Sequence, residues 1–271
     1  MVSIMTLISI SCLQRNKMND FKEKLSNYYN KFNEDKRLES RHGQVEFLTS
    51  MKYIHQYIKK GDKIVDIGAG SGKYSIALKK EGYNVTAIEY VRPNIGKIKA
   101  KDKDLKVIEA SATDLSIFKD DEFDVGIMFG PMYHLYSKED KLKALNEAKR
   151  ICKKYIFVTY IMNEYSVIEY AFIENNYKNV KDKLDDTFKI NDPDNIFFQV
   201  RIEDIDELND LAKLKLIKRF ASDGPSDYIR QIINKMDDET FNAFIDFHQS
   251  TCERKELLGA SSHLVDILEK I

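Results

Sequence analysis

Apolar residues fall along this chain in short β-branched runs that alternate with stretches of helical spacing. Between residues 44 and 60, Phe47, Leu48, Met51, Ile54 and Ile58 recur at helical intervals, and Gly61 stands where a helix C′ residue is expected. Ile64-Val65 then opens a first strand. A helical segment over 73–80 stops near Gly82, and Asn84-Val-Thr-Ala-Ile88 reads as a second strand. Val107 and Ile108 supply a third. Val125 to Phe129, almost wholly apolar, reads as a fourth that is buried on both faces. Ser137-Lys-Glu-Asp140 approximates a capping box, and Leu142, Leu145, Ala148 and Ile151 line one face of the helix it opens. Tyr155-Ile-Phe-Val-Thr159 is the fifth strand. Strands alternating with helices predict a mostly parallel sheet with helices on both faces.

After Tyr160 the pattern changes. Residues 163–191 read as irregular amphipathic helix, with Ile168, Ala171, Phe172 and Tyr177 as inward positions. Asp192-Pro-Asp-Asn195 is a turn, Ile202 to Ala212 a helix, and Leu214 to Phe220 a strand. Asp223 to Leu258 is further helical material. His263 to Leu268 fits either an antiparallel strand or a terminal helix. The expected organisation is an N-terminal extension (1–18), a helical lid (19–60), an α/β core (61–160) and a helical cap (161–200). The end of the sheet follows (201–271), carrying a helical insertion at about 224–258. Met1 to Leu13 is apolar but lacks the basic start of a signal peptide. A start at Met18, or a disordered tail, is the expectation there.

Composition narrows the class. With 271 residues, 43 basic and 44 acidic side chains and a net charge of −1, the chain carries no electrostatic footprint for long nucleic acid. Cys12, Cys152 and Cys252 show neither a disulfide framework nor a metal knuckle, which fits a reducing cytoplasm. No segment approaches the ~20 apolar residues of a membrane span. His55, His248 and His263 have no acid or cysteine partner at metal-ligand spacing along the sequence, so no metal site is expected.

The chemistry gathers at the strand ends. Asp66 is followed by glycines at alternate positions, Gly68, Gly70 and Gly72, and then by a helix. Such a turn lets the backbone approach a ligand closely, and it opens onto a helix N-terminus that favours a negative group. A dinucleotide fingerprint would need glycine at position 73, which is lysine. Glu89 ends the second strand 21 residues after Gly68, where a carboxylate can accept from both hydroxyls of a ribose. The third strand runs into Ala110-Ser111-Ala112-Thr113, with Asp114 as a further candidate or a turn acid. The fourth runs into Phe129-Gly130-Pro131-Met132-Tyr133-His134-Leu135.

Asp-x-Gly-x-Gly-x-Gly resembles motif I of class I S-adenosylmethionine (SAM)-dependent methyltransferases, and the Gly130–Leu135 loop resembles the Gly-Pro-x-Tyr-His-Leu loop of their small-molecule, type 11-like members. The resemblance implies an α/β, Rossmann-like, doubly wound, mostly parallel seven-stranded sheet with an antiparallel edge strand and helical cap insertions. It implies SAM as cofactor, S-adenosylhomocysteine (SAH) as product, and these roles. Gly68, Ala69, Gly70 and Gly72 form the methionine-side turn. Asp66 orients that loop or receives the ligand ammonium through water. Glu89 holds the ribose and Tyr90 stacks near adenine. Ser111, Ala112 and Thr113 border adenine, and Phe129 and Gly130 pass beneath the sulfonium. Serine is shorter than the Asp or Asn of many relatives at position 111, which weakens a direct contact with the adenine amino group.

His134 is the candidate general base, because imidazole titrates near neutrality; the alternative is a histidine that only shapes its loop. Tyr133 orients substrate or packs. Tyr28, Tyr29, Arg41 and His42 are candidate lid residues or solvated helix surface. The leading expectation is methyl transfer to a small-molecule acceptor, with oligomeric state open. The alternatives are an RNA or protein acceptor, a non-catalytic SAM-binding module, and a nicotinamide oxidoreductase.

Overall fold

A computed structural model describes residues 21–31 and 34–270, so the expectations for 1–18 and Cys12 lie outside the described residues. Helix α1 (21–31) and the short α2 (Glu34–Glu39) precede α3 (Arg41–Tyr57), which starts where the Ser40 hydroxyl accepts from the Gly43 amide. The alternating segment then gives β1 (Lys63–Ile67), α4 (Lys73–Lys80), β2 (Asn84–Glu89), α5 (Arg92–Lys101), β3 (Lys106–Glu109) and β4 (Phe123–Met128). A 3-10 turn at Pro131–Tyr133 leads to α6 (Lys138–Ile151), capped by Ser137, and to β5 (Cys152–Ile161).

Beyond β5 come α7 (Asn163–Val167), a π-helical turn (Ile168–Ile173), α8 (Tyr177–Val180), α9 (Ile202–Ala212) and β6 (Leu214–Ala221). The short α10 (Arg230–Ile233), then α11 (Asp238–Thr251) and α12 (Lys255–Leu258), precede β7 (His263–Lys270). All seven strands form one sheet in the order β3-β2-β1-β4-β5-β7-β6. Strands β1 to β5 run parallel, and β7 runs antiparallel to both β5 and β6. Residues 263–270 are therefore strand, seated one place in from edge strand β6. Leu264, Val265, Ile267 and Leu268 are all buried there, as a strand covered on both faces requires.

Alternate residues of each strand feed two cores. Ile64 packs with Ile54, Leu78 and Ile98 on the face covered by α3, α4 and α5. Val65 and Ile67 pack with Leu145, Ala148 and Leu208 on the face covered by α6 and α9.

The helical spacing fails in two places. Of the four positions expected to face inward after α7, only Ala171 is buried; Ile168, Phe172 and Tyr177 are exposed. The π turn is the reason, because its wider winding moves the inward stripe off the 3.6-residue period. Leu48 likewise faces outward from α3, while Val45, Met51 and Ile54 supply its buried stripe.

Order reverses between β2-β1 and β4-β5, so the crevice beyond the C-terminal ends of β1 and β4 is the place for a ligand in an open α/β sheet.

Candidate active site

The loop after β1 is bent onto β2. The amides of Gly68 and Ala69 both donate to the Ile88 carbonyl, at 2.8 and 2.9 Å. Gly68 has φ +75°, and a Cβ on it would stand 2.6 Å from the Pro131 side chain. This close approach locks the turn against the loop after β4. Gly72 (φ +84°) packs on Ile98 instead, where a Cβ would meet Cγ1 at 2.9 Å.

Glu89 is 4% exposed, and its two oxygens tie the turn together. The Gly70 amide donates to Oε2 and the Val91 amide to Oε1, both at 2.7 Å. Burial pushes its carboxyl up to about 7, against the lowering effect of those amides. Asp66 is buried beneath the turn. It accepts from the Ser75 hydroxyl on α4 at 2.5 Å, and burial raises its carboxyl to about 6.

A cavity of about 870 Å³ opens above these strand ends. Gly68, Ala69, Gly70, Glu89, Tyr90, Ser111, Ala112, Thr113, Phe129, Gly130, Tyr133 and His134 all line it. Asp66 and Gly72 do not. Asp66 couples strand to helix and Gly72 couples helix α4 to helix α5, so of the two roles expected for Asp66 the geometry favours orientation of the loop.

Ser111 turns its hydroxyl onto Thr113, 2.9 Å from Oγ1, and so stiffens its own turn. Asp114 accepts from Ser116 and belongs to that turn as well. One face of Tyr90 is covered by the Lys22 ammonium, 4.1 Å from the ring centroid.

The lid places its residues differently from expectation. Tyr29 on α1 lines the cavity with Phe21, Lys24 and Leu25, while Tyr28 packs edge-on against Tyr29 and Phe197. Arg41 pairs with Asp238 at 2.6 Å, and the His42 amide donates to Asn234. Both sit at the start of α3, which abuts the 230–251 helices, so they face that insertion and not the cavity. Arg37, Glu46 and Tyr74 line the wall instead. No local sequence signal marks them. Only the packing of α2 and α3 over the glycine turn brings them in.

His134 has both ring nitrogens engaged. Nδ1 lies 2.8 Å from the Ile196 carbonyl, which can only accept, so Nδ1 carries the proton. Nε2 then accepts from the Tyr29 hydroxyl at 2.8 Å. Burial pulls the imidazole down to about 4, so the ring is neutral at physiological pH. The buried Lys141 ammonium donates to the Leu135 carbonyl and pins the same loop.

Contrary to expectation, His263 has acid partners. They come from distant segments, which is why spacing did not reveal them. Nδ1 is 2.6 Å from Asp223 and 4.0 Å from Glu46, which itself pairs with Arg37 at 2.8 Å. The three side chains Glu46, Asp223 and His263 could in principle face one cation. However, Nδ1 spends its lone pair on the proton it shares with Asp223, and Arg37 adds positive charge alongside. The cluster is an ion-pair chain.

Burial alone would lower the His263 imidazolium, but Asp223 and Glu46 outweigh it and raise it to about 9. A folded value above the ordinary 6.5 means that protonation stabilises the fold. That stabilisation is complete below pH 6.5 and is lost as pH rises through 9. Its size is about 3 kcal/mol at most. Urea titrations should therefore show stability declining from pH 7 to 9.5 in the parent and less steeply in His263→Gln. Parallel declines would disprove the linkage.

A mostly parallel seven-stranded sheet with a glycine turn after β1, a buried acid at the end of the neighbouring strand and a cavity at the switch point is the arrangement of Rossmann-like methyltransferase folds. Residues 65–157 match the family model described as a methyltransferase domain.

Among curated proteins, the chain is 27% identical over 129 residues to a ubiquinone biosynthesis O-methyltransferase of Rickettsia typhi, covering 46% of this chain and 52% of that one. It is 31% identical over 87 residues to a cypemycin N-terminal methyltransferase of a Streptomyces species, covering 31% and 35%. The chain thus spans about half or less of the length of these curated relatives. A solved Thermotoga maritima structure, described as a SAM-dependent methyltransferase and possible histamine N-methyltransferase, shares the fold. Its TM-score is 0.54 at 20% identity, over 90% of this chain and 98% of that one.

Proposed function

We propose that the protein transfers a methyl group from SAM to a small-molecule acceptor. The observation that carries this reading is the single cavity joining the Gly68–Gly70 turn, Glu89 and the 111–113 turn to an aromatic, lid-covered half. Several features of the chain fit the cofactor. Glu89 offers a buried carboxylate whose unused lone pairs can accept from ribose hydroxyls. Gly68 and Gly130 leave no side chain where the ligand and the two loops meet. Ala112 and Thr113 border the space left for adenine, and Tyr90 offers it a ring.

When bound, SAM supplies an electrophilic methyl: the acceptor lone pair forms the new bond to carbon while the carbon–sulfur bond breaks, its electrons leaving on the thioether of SAH. The protein's part is alignment and exclusion of water. Phe129, held edge-on to Tyr74 with centroids 5.0 Å apart, and Gly130 floor the reacting end. Phe21, Leu25 and Tyr29 close it from above.

His134 is a positioning residue in this reading. Its bond to Tyr29 fastens the lid, and its bond to Ile196 fastens the cap. His134→Ala should raise KM several-fold and weaken SAH binding, while the pH–rate profile above pH 6 keeps its shape. Loss of kcat alone, with binding intact, would make it the base. The buried free thiols Cys152 and Cys252 support a reducing, cytoplasmic setting.

The test of the cofactor is calorimetric titration of the stripped protein with SAM, SAH and NADH. Binding of the first two alone is expected. Binding of NADH, or of none of them by folded protein, would refute the assignment.

A further inference from the structure

The two relatives act on different acceptors, so the acceptor must be argued from this cavity. Among the described residues its lining carries four acids, Glu46, Glu89, Asp140 and Asp194, and two bases, Lys24 and Arg37. SAM brings one net positive charge, from its sulfonium, since its ammonium and carboxylate cancel. Glu46 is paired with Arg37 and with the protonated His263, and the Glu89 carboxyl is held near 7, so the open lone pairs of these acids, and not a net charge, choose the acceptor.

Glu46 is the acid best placed to do so. It is 9% exposed and stands on the wall beside Tyr74. Arg37 and the nearby His263 both engage Oε2. Oε1 has no hydrogen bond among the described residues, and a carboxylate oxygen accepts two. The Tyr74 hydroxyl is buried and without a partner among the described residues. Burial, with the Glu46 charge adding to it, holds this phenol protonated. Around them stand the rings of Tyr29, Phe129 and Tyr133, whose faces attract cations. A carboxylate acceptor would meet Glu46 head-on, and a neutral alcohol would forgo the attraction of these ring faces for a cation.

Resting on the methyltransferase reading, we propose that the acceptor is a primary amine and that Glu46 is its specificity determinant. The amine arrives as its ammonium and donates an N–H to Glu46 Oε1; it gives up one proton to water before the cavity closes, and the lone pair so freed forms the bond to the methyl carbon as the carbon–sulfur bond breaks. Arg37 is the competing cation that holds Glu46 when no acceptor is bound.

The experiment titrates three matched probes, phenethylamine, phenethyl alcohol and 3-phenylpropanoate, into the full chain saturated with SAH. Phenethylamine should bind at least tenfold more tightly than either of the others. Glu46→Gln should erase that preference, and Arg37→Gln should increase it. A merely structural ion pair predicts instead that both variants weaken amine binding alike, which would overturn the proposal. So would a preference for the alcohol or the carboxylate, or an amine preference that survives in Glu46→Gln; either leaves the methyltransferase reading standing. Failure of SAH itself to bind the folded parent chain overturns both.

Discussion

Glu89→Ala should reduce SAH affinity by at least 100-fold, measured by calorimetry against the parent. The carboxylate has two tasks. It receives the Gly70 and Val91 amides, each at 2.7 Å, and in the proposed reading it offers its remaining lone pairs to the ribose. Removing it leaves two buried donors unmatched and deletes the ligand contacts. Hydrogen bonds to a charged group are worth about 1.5–3 kcal/mol each, so two ligand bonds alone account for roughly 100-fold. Loosening of the turn adds to this.

The acid also sets a pH dependence. With its carboxyl held near 7 in the free protein, more of it is ionised as pH rises, and only the ionised form is a pure acceptor. SAH affinity should therefore increase between pH 6 and 8 in the parent and stay flat in Glu89→Gln. Parent-like affinity in Glu89→Ala would remove the ribose role.

Gly68→Ala should be as damaging to binding, and should cost stability too. The position has φ +75°, which costs an L side chain about 1–2 kcal/mol. The new methyl would stand 2.6 and 2.7 Å from Cγ and Cδ of Pro131, a ring that cannot swing away. Overpacking of this kind costs a further 1–3 kcal/mol or so. The relief available is to push the loop after β4 away from the turn after β1, which parts the two walls of the cavity. The expected result is a stability lowered by about 2–5 kcal/mol in urea titration, together with loss of SAH binding. Gly70→Ala is the useful contrast. A Cβ there meets nothing within 4 Å, so backbone strain at φ +56° acts alone and the stability loss should be smaller. Equal losses at the two positions would show that contact with Pro131 is not the cause.

Strands β1 to β5 were legible as short apolar, largely β-branched runs, and α4 and α6 by their helical spacing; α5, with only Asn94 and Ile98 buried, gave no such signal, and no helix lies between β3 and β4. The glycine turn and the acid at the end of β2 were legible because a tight turn between strand and helix demands glycine, and the acid stands at a fixed spacing from it, where it accepts the Gly70 amide. The segment after β5 was not, because the π turn at Ile168–Ile173 breaks the period that any helical reading relies on. The cluster of Glu46, Asp223 and His263 was illegible for a different reason. Glu46, Asp223 and His263 come from α3, the loop after β6 and the start of β7, and nothing local ties a glutamate on one amphipathic helix to a histidine more than 200 residues away. Arg41 and His42 looked like the polar face of a lid. They turned out to be contacts with the 230–251 helices, a choice made by packing and not by composition.

The insertion of β7 between β5 and β6 bears on how the chain is made. Ile161 finds its partner in His263, 102 residues later, and among the described residues β6 has no neighbour in the sheet except β7. During synthesis the apolar edge of β5 is therefore complete long before the strand that covers it has left the ribosome, and β6 emerges with nowhere to pair. Strand edges left open in this way are sites of intermolecular association. Nascent chains arrested between β5 and β7 should thus depend on chaperones, whereas chains that have released β7 should not.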